Sequence, residues 1–125
     1  YQWSGSGLLR NNDVASGLFT NTQSPFLATQ WGCWGAYYVL PNYDSLAHSL
    51  LLGDSGAAAL IGAASLAETG PSTALAAALL PQLDNSERLG DSLRHALTEI
   101  VGNNPAALDV IYGTSLLGDP SMPLR

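Results

Sequence analysis

The order of apolar and periodic segments predicts an α/β fold for this chain. Phe26–Thr29 and Ala57–Gly62 are short, largely apolar runs with glycines close by, which is typical of strands in the middle of a parallel sheet. Segments with helical character lie between and after them, and the order strand, helix, strand, helices is the α/β pattern. Periodicity alone also allows residues 57–62 to form a buried helix.

Two short helices are predicted before the second strand. Asn12 or Asp13 is expected to cap the first, because an Asx side-chain oxygen accepts the free N–H groups of a first turn. Asp44 is expected to cap the second, over Ser45–Leu52, and Gly53 is expected to end it.

Two longer helices are predicted after the second strand. The first covers Ser72–Leu80, and Pro81 either ends it or kinks it. Asp84 and Glu87 have the three-residue spacing of a capping box, which predicts a second helix running to Val101. No internal repeat or linker is visible, so residues 1–125 are expected to be a single domain or a fragment of one.

Composition excludes several classes of function. The chain is 46% hydrophobic and 11% charged, with four arginines, no lysine and a net charge of −6. This charge disfavours binding to nucleic acid or to anionic lipid, both of which need a basic face. The longest apolar run, residues 57–67, is shorter than the about 20 residues that a membrane span requires. No signal peptide is visible, and a start at Tyr1 suggests a piece of a longer protein.

Cys33 is the residue around which the chemistry is predicted. It lies between Gly32 and Gly35, just after the first predicted strand. Ligands and reactive groups of open α/β sheets lie at the carboxyl ends of strands, so a thiol there is a candidate nucleophile. The alternative is a small buried hydrophobic residue, which is a common role for a free cysteine. A single cysteine excludes an internal disulfide and any multi-cysteine metal site.

The two histidines offer weaker candidates. His48 is expected to be partly exposed, and it serves as a base for Cys33 only if its helix packs against the cysteine turn. His95 has Asp91 and Glu99 four residues away on either side, which indicates a solvated helix face with weak pairs. Two histidines without a second cysteine make a zinc site improbable, and no metal or other cofactor is expected.

Two further patterns have alternative interpretations. Gly53–Gly56 reads Gly-Asp-Ser-Gly, as around the nucleophile of trypsin-like proteases, but its place between a helix and a strand indicates an ordinary turn. An esterase that uses Ser55 is therefore not expected. Trp3, Trp31 and Trp34 either wall a ligand cleft or form part of the core.

Four segments carry a resemblance to a known family. They are the Trp-containing opening at residues 1–9 with residues 12–14, the strand and turn at Pro25–Tyr37, the helix at residues 45–51 with the strand at residues 56–65, and Leu-Leu-Gly-Asp-Pro-Ser-Met at residues 116–122. Together, in this order and spacing, they resemble the carboxyl-terminal half of the catalytic domain of gingipain-type cysteine peptidases. The resemblance implies a caspase-like three-layer sandwich with a mainly parallel central sheet, present here only in part.

The resemblance also implies roles for individual residues. Cys33 falls on the position of the nucleophile, within a turn that includes Gly32, Trp34 and Gly35 and supplies oxyanion contacts. The substrate pocket is expected to be formed by Trp3, Ala63, Ala64 and Ser65. The catalytic histidine of the family would precede Tyr1, so it is expected on the preceding segment or on a partner chain. The family usually has a glutamate where this chain has His48.

The function implied is that of a cysteine endopeptidase acting on peptide or protein substrates, secreted or on the bacterial cell surface. The alternative is a non-catalytic caspase-like module with a binding or structural role in a large surface protein.

Overall fold

A three-stranded sheet lies at the centre of the computed structural model, which describes residues 9–104 and 107–124. Its strands, in spatial order, are β1 (Phe26–Gln30), β2 (Ala57–Ala63) and β3 (Thr114–Leu117). β1 and β2 are parallel, whereas β2 and β3 are antiparallel. Both predicted strands and the α/β class are confirmed. The caspase-like sandwich remains a prediction, because a sheet of three described strands does not distinguish it from other α/β folds.

Helices cover both faces of β2. The described residues contain five helices: α1 (Asn11–Ala15), α2 (Leu46–Leu51), α3 (Thr69–Asn85), α4 (Leu89–Asn103) and α5 (Leu108–Gly113). Side chains of β2 alternate between the faces, so Ile61 joins an apolar cluster with α3 and α4, while Leu60 joins a second cluster with α2. Within the described ranges, no helix combines the length and the apolar character needed to cross a bilayer.

The cap of α2 is Ser45, so the prediction of Asp44 is wrong. Ser45 Oγ accepts the N–H of His48 at 3.4 Å, and His48 Nδ1 accepts the N–H of Ser45 at 3.1 Å. Ser45 is completely buried, whereas Asp44 is exposed. In an Asp-Ser pair either side chain is a good cap, and the register at which the helix packs on the sheet selects between them.

A Ser45→Ala substitution is expected to lower the free energy of unfolding by about 1 kcal/mol, because it removes the cap. Asp44→Ala is the matched control and should change it by less than about 0.5 kcal/mol. Urea unfolding of both variants measures the difference, and a larger loss in Asp44→Ala would contradict the cap assignment.

The cap of α1 also differs from the prediction. The N-cap is Arg10, not Asn12 or Asp13. Asp13 lies one turn into the helix and accepts the N–H of Arg10 at 2.7 Å. The acidic side chain therefore satisfies a free amide of the helix start from inside the helix rather than from the cap position.

Pro81 and Asp84 both lie inside α3, which runs to Asn85. The helix therefore continues through the proline, and Asp84 does not form the predicted capping box with Glu87. The N-cap of α4 is Arg88, which makes no side-chain cap. Instead, the N–H groups at the start of α4 donate to carbonyl groups near the carboxyl end of the chain, Leu89 to Met122 at 3.1 Å and Gly90 to Pro120 at 2.8 Å. Backbone carbonyl groups from a distant part of the chain thus take the place of a local side-chain cap.

Candidate active site

Cys33 lies in a turn over residues 33–36, just beyond the carboxyl end of β1. Its side chain is partly exposed rather than enclosed among aliphatic groups. The carboxyl ends of the parallel strands β1 and β2 meet at the same edge of the sheet. A free thiol therefore lies at the edge where α/β folds place their reactive groups.

The cysteine turn is bound to the segment that follows β2. The N–H of Trp34 donates to the carbonyl of Ser65 at 3.0 Å, and the N–H of Ala36 donates to the carbonyl of Ala63 at 2.9 Å. The Cys33 thiol donates to the carbonyl of Ala67 at 3.3 Å, and Sγ accepts the N–H of Ala67 at 3.4 Å. Residues 63–67 thus hold the turn through backbone groups at every second position.

Trp34 adopts an uncommon backbone conformation, with φ of 62°. Bulky residues rarely occupy this left-handed region, and such conformations concentrate at functional sites. The Trp34 ring packs edge-on against Tyr37, with centroids 4.9 Å apart and planes at 85°. This contact and the hydrogen bond to Ser65 hold the turn in its strained shape.

The backbone donors of the turn differ in whether they are engaged. The N–H of Trp34 is bonded to Ser65. Within residues 9–104 and 107–124, the N–H groups of Cys33 and Gly35 donate to no acceptor. Free N–H groups near a nucleophile are the donors that can stabilise a developing oxyanion.

Gly35 is buried, and its lack of a side chain has a steric reason. A Cβ at this position would overlap the side-chain amide of Gln30, the last residue of β1. The turn therefore folds back on the strand that leads into it. Gln30 thereby packs against the turn that carries Cys33.

A narrow cleft lies at the end of β1, and none of residues 32–37 lines it. Its empty volume is about 280 Å³ with its mouth included, and its enclosed part has room for about one water molecule. Of the predicted pocket residues, Ala63 lines the cleft, whereas Ala64 and Ser65 do not. Trp3 lies outside the described residues. The role of all four in a substrate pocket stays a prediction.

Sequence reasoning missed three residues at this site. Gln30 and Asp109 line the cleft, and Ala67 both lines it and contacts the thiol. Trp31 lines the same cleft and also packs against the core, so both interpretations of the tryptophans hold for this residue. Only Asp109 carries a formal charge, and nothing in its local sequence indicates that α5 folds back to the end of β1.

His48 is not brought to Cys33. Its Nδ1 is bound to the start of α2, and its side chain lines a separate groove with Asp44 and Asp54. Among the described residues, the only hydrogen-bond partner of the Cys33 thiol is Ala67. Within the described residues, neither histidine therefore contacts this thiol.

The remaining polar candidates, Ser55 and His95, make contacts that are typical of structural residues. Ser55 donates its hydroxyl to the carbonyl of Phe19 at 2.7 Å, as expected for a turn residue. His95 is exposed and lies 2.8 Å from the guanidinium of Arg94, which pairs with Asp91 at 3.5 Å. In the part of the chain that the structure describes, no three His, Cys, Asp or Glu residues are grouped so that they could hold a metal ion.

Comparison with known proteins gives one match. The family model for peptidase family C25 matches residues 1–125, the whole chain. No curated protein and no solved structure matches it. The family confirms the resemblance carried by the four segments, and it is a family of cysteine peptidases, known as the gingipain family. The chain belongs to peptidase family C25.

Proposed function

We propose that this protein is a cysteine endopeptidase in which Cys33 is the nucleophile. The observation that carries the proposal is the position of a partly exposed thiol, at the carboxyl end of β1, in a chain that matches the family along its whole length. No other cysteine is present. A nucleophilic cysteine peptidase needs its thiol at an accessible site, in contact with donors that position it, and Cys33 meets both requirements.

The proposed reaction proceeds through a thioester. An imidazole supplied by the preceding segment or by a partner chain takes the proton of the thiol, and sulfur attacks the carbonyl carbon of the scissile peptide. The C–N bond breaks, and the amine leaves with the proton from the imidazole. Water then hydrolyses the thioester, which releases the acid and regenerates the thiol.

The turn provides the donors for the intermediate. We place the oxyanion near the N–H group of Cys33, because this group is not engaged elsewhere in the described residues. The N–H of Trp34 contributes indirectly, since its bond to Ser65 fixes the shape of the turn. Gly32 precedes the nucleophile, and an added Cβ at this position meets no atom of the described residues within 4 Å. Substrate can therefore approach the turn from that side.

The test is alkylation of Cys33 in the protein together with the segment or partner that supplies the histidine. We expect cleavage of a mixed peptide library, with complete loss after iodoacetamide treatment and the modification mapped to Cys33 by mass spectrometry. A serine-directed fluorophosphonate should leave Ser55 unlabelled, because its hydroxyl serves the turn. Cleavage that continues after full alkylation of Cys33 would overturn the proposal.

The non-catalytic module is the second candidate, and one observation favours it: within the described residues no imidazole contacts the thiol. It predicts no cleavage even with the histidine-bearing segment present, and alkylation of Cys33 no faster than that of an ordinary exposed thiol.

A further inference from the structure

The Cys33 sulfur is held by both backbone groups of one residue. The thiol donates to the carbonyl oxygen of Ala67 at 3.3 Å, and the N–H of Ala67 donates to Sγ at 3.4 Å. Ala67 has no polar side chain, so the contact depends on the backbone alone. It lies between the end of β2 and the start of α3.

Ala67 is the third residue in the segment 63–67 whose backbone contacts the cysteine turn. Backbone groups of Ala63, Ser65 and Ala67, every second residue, contact the cysteine turn. The residue between the first two, Ala64, bonds in another direction, through its N–H to the carbonyl of Gly113 at 2.8 Å. The segment is therefore fixed both to the turn and to the end of α5, and its backbone groups are held in place before any reaction.

The two contacts suit the two protonation states of the sulfur. A neutral thiol donates to the carbonyl and accepts the N–H at the same time. When the proton leaves, the bond to the carbonyl is lost, but the bond from the N–H becomes charge-assisted and stronger. The sulfur therefore does not have to move when it ionises, which is the property of a preorganised site.

No cationic side chain is on the elements that pack around the sulfur. The turn at residues 31–37, the segment at residues 63–68, α3 and α5 contain no Lys or Arg. Of their ionisable residues, Glu68 is the N-cap of α3, and Asp109 on α5 lines the neighbouring cleft. Within the described residues, the N–H of Ala67 is therefore the hydrogen-bond donor available to a thiolate.

We propose that Ala67 is the positioning residue of the Cys33 nucleophile, its carbonyl holding the thiol and its N–H holding the thiolate. This inference rests on the proposed function. It concerns the residue that prepares the sulfur, not the identity of the nucleophile.

The first test removes the N–H. In the whole protein, Ala67→Pro lacks the donor, whereas the control Ala67→Gly retains it. We expect alkylation of Cys33 by iodoacetamide at pH 7 to be about tenfold slower in Ala67→Pro than in Ala67→Gly, because a hydrogen bond to the charged form is lost. The pH–rate profile of Ala67→Pro should move to higher pH, and the two rates should converge where the thiol is fully ionised. Coincident profiles in two folded variants would overturn the inference.

The second test leaves the chain unaltered, so it does not depend on the folding of the proline variant. The amide resonance of Ala67, followed by NMR as pH rises, should shift in step with the ionisation of Cys33 and should stop doing so in Cys33→Ala. The amide of Ala64, bonded to Gly113, is the internal control. An Ala67 amide that does not respond to ionisation of Cys33 would refute the inference.

The outcomes separate this inference from the proposed function. Cleavage retained by Cys33→Ala refutes the peptidase mechanism, whatever Ala67 does. If cleavage is lost in Cys33→Ala but the Ala67 amide resonance does not shift as Cys33 ionises, only the role of Ala67 is refuted.

Discussion

Replacing Cys33 by Ala is expected to lower peptide cleavage at least about a thousandfold, in the protein together with the segment or partner that supplies the histidine. The reason is that the chain has no other thiol. Cys33→Ser should lose nearly as much, since a hydroxyl keeps the size of the side chain but is much harder to ionise than a thiol. Initial rates on a peptide library measure both losses.

Ser55→Ala is the control for this experiment. Ser55 belongs to the Gly-Asp-Ser-Gly turn, and its hydroxyl is bonded to the carbonyl of Phe19. Cleavage should therefore be unchanged in Ser55→Ala once the fraction of folded protein is corrected for. Full activity in Cys33→Ala would refute the nucleophile. A large loss in Ser55→Ala, with normal folding, would reopen the serine mechanism that the sequence argued against.

Features of the fold that depend on local sequence could be predicted, whereas features that depend on distant contacts could not. β1 and β2 are encoded locally, by apolar runs next to glycines, and both were predicted within one residue at each end. The caps were not. Ser45 caps α2 instead of its neighbour Asp44 because tertiary packing sets the register. α4 has no side-chain cap because its first N–H groups bind carbonyls near Pro120, about thirty residues away, which no local pattern encodes.

The residues of the candidate site also differ in whether the local sequence indicates them. The position of Cys33 could be predicted because it follows a strand and lies between glycines, whereas its role as nucleophile stays a proposal. Ala67 could not, because an alanine has no chemical signature and acts here through its peptide groups alone. Asp109 was missed because α5 approaches the end of β1 only after the chain has passed through two long helices.

The contacts of the Leu-Leu-Gly-Asp-Pro-Ser segment give a physical reason for its sequence, which the resemblance alone did not supply. Gly118 directly follows β3 and has φ of 128°. A Cβ there would lie 2.7 Å from the Cβ of Ala59 and 3.0 Å from the carbonyl oxygen of Ala58, both on β2. Next to it, Ser121 donates its hydroxyl and its N–H to Asp119 at 2.7 and 2.8 Å, and these bonds lower the pKa of the Asp119 carboxyl below its usual value. The segment is thus tightly fitted to the sheet.

Gly118→Ala is therefore expected to lower the free energy of unfolding by about 3 kcal/mol, by adding the strain of a left-handed alanine to an overlap with the backbone of β2. Gly102→Ala is the matched control with the opposite sign. Gly102 is exposed near the end of α4, and a Cβ there meets none of the described atoms within 4 Å, so alanine should stabilise the helix by up to about 1 kcal/mol. Denaturant unfolding of both variants measures the pair. Equal effects would mean that the conformation of Gly118 does not matter, and that the fit between the end of β3 and β2 is looser than its contacts indicate.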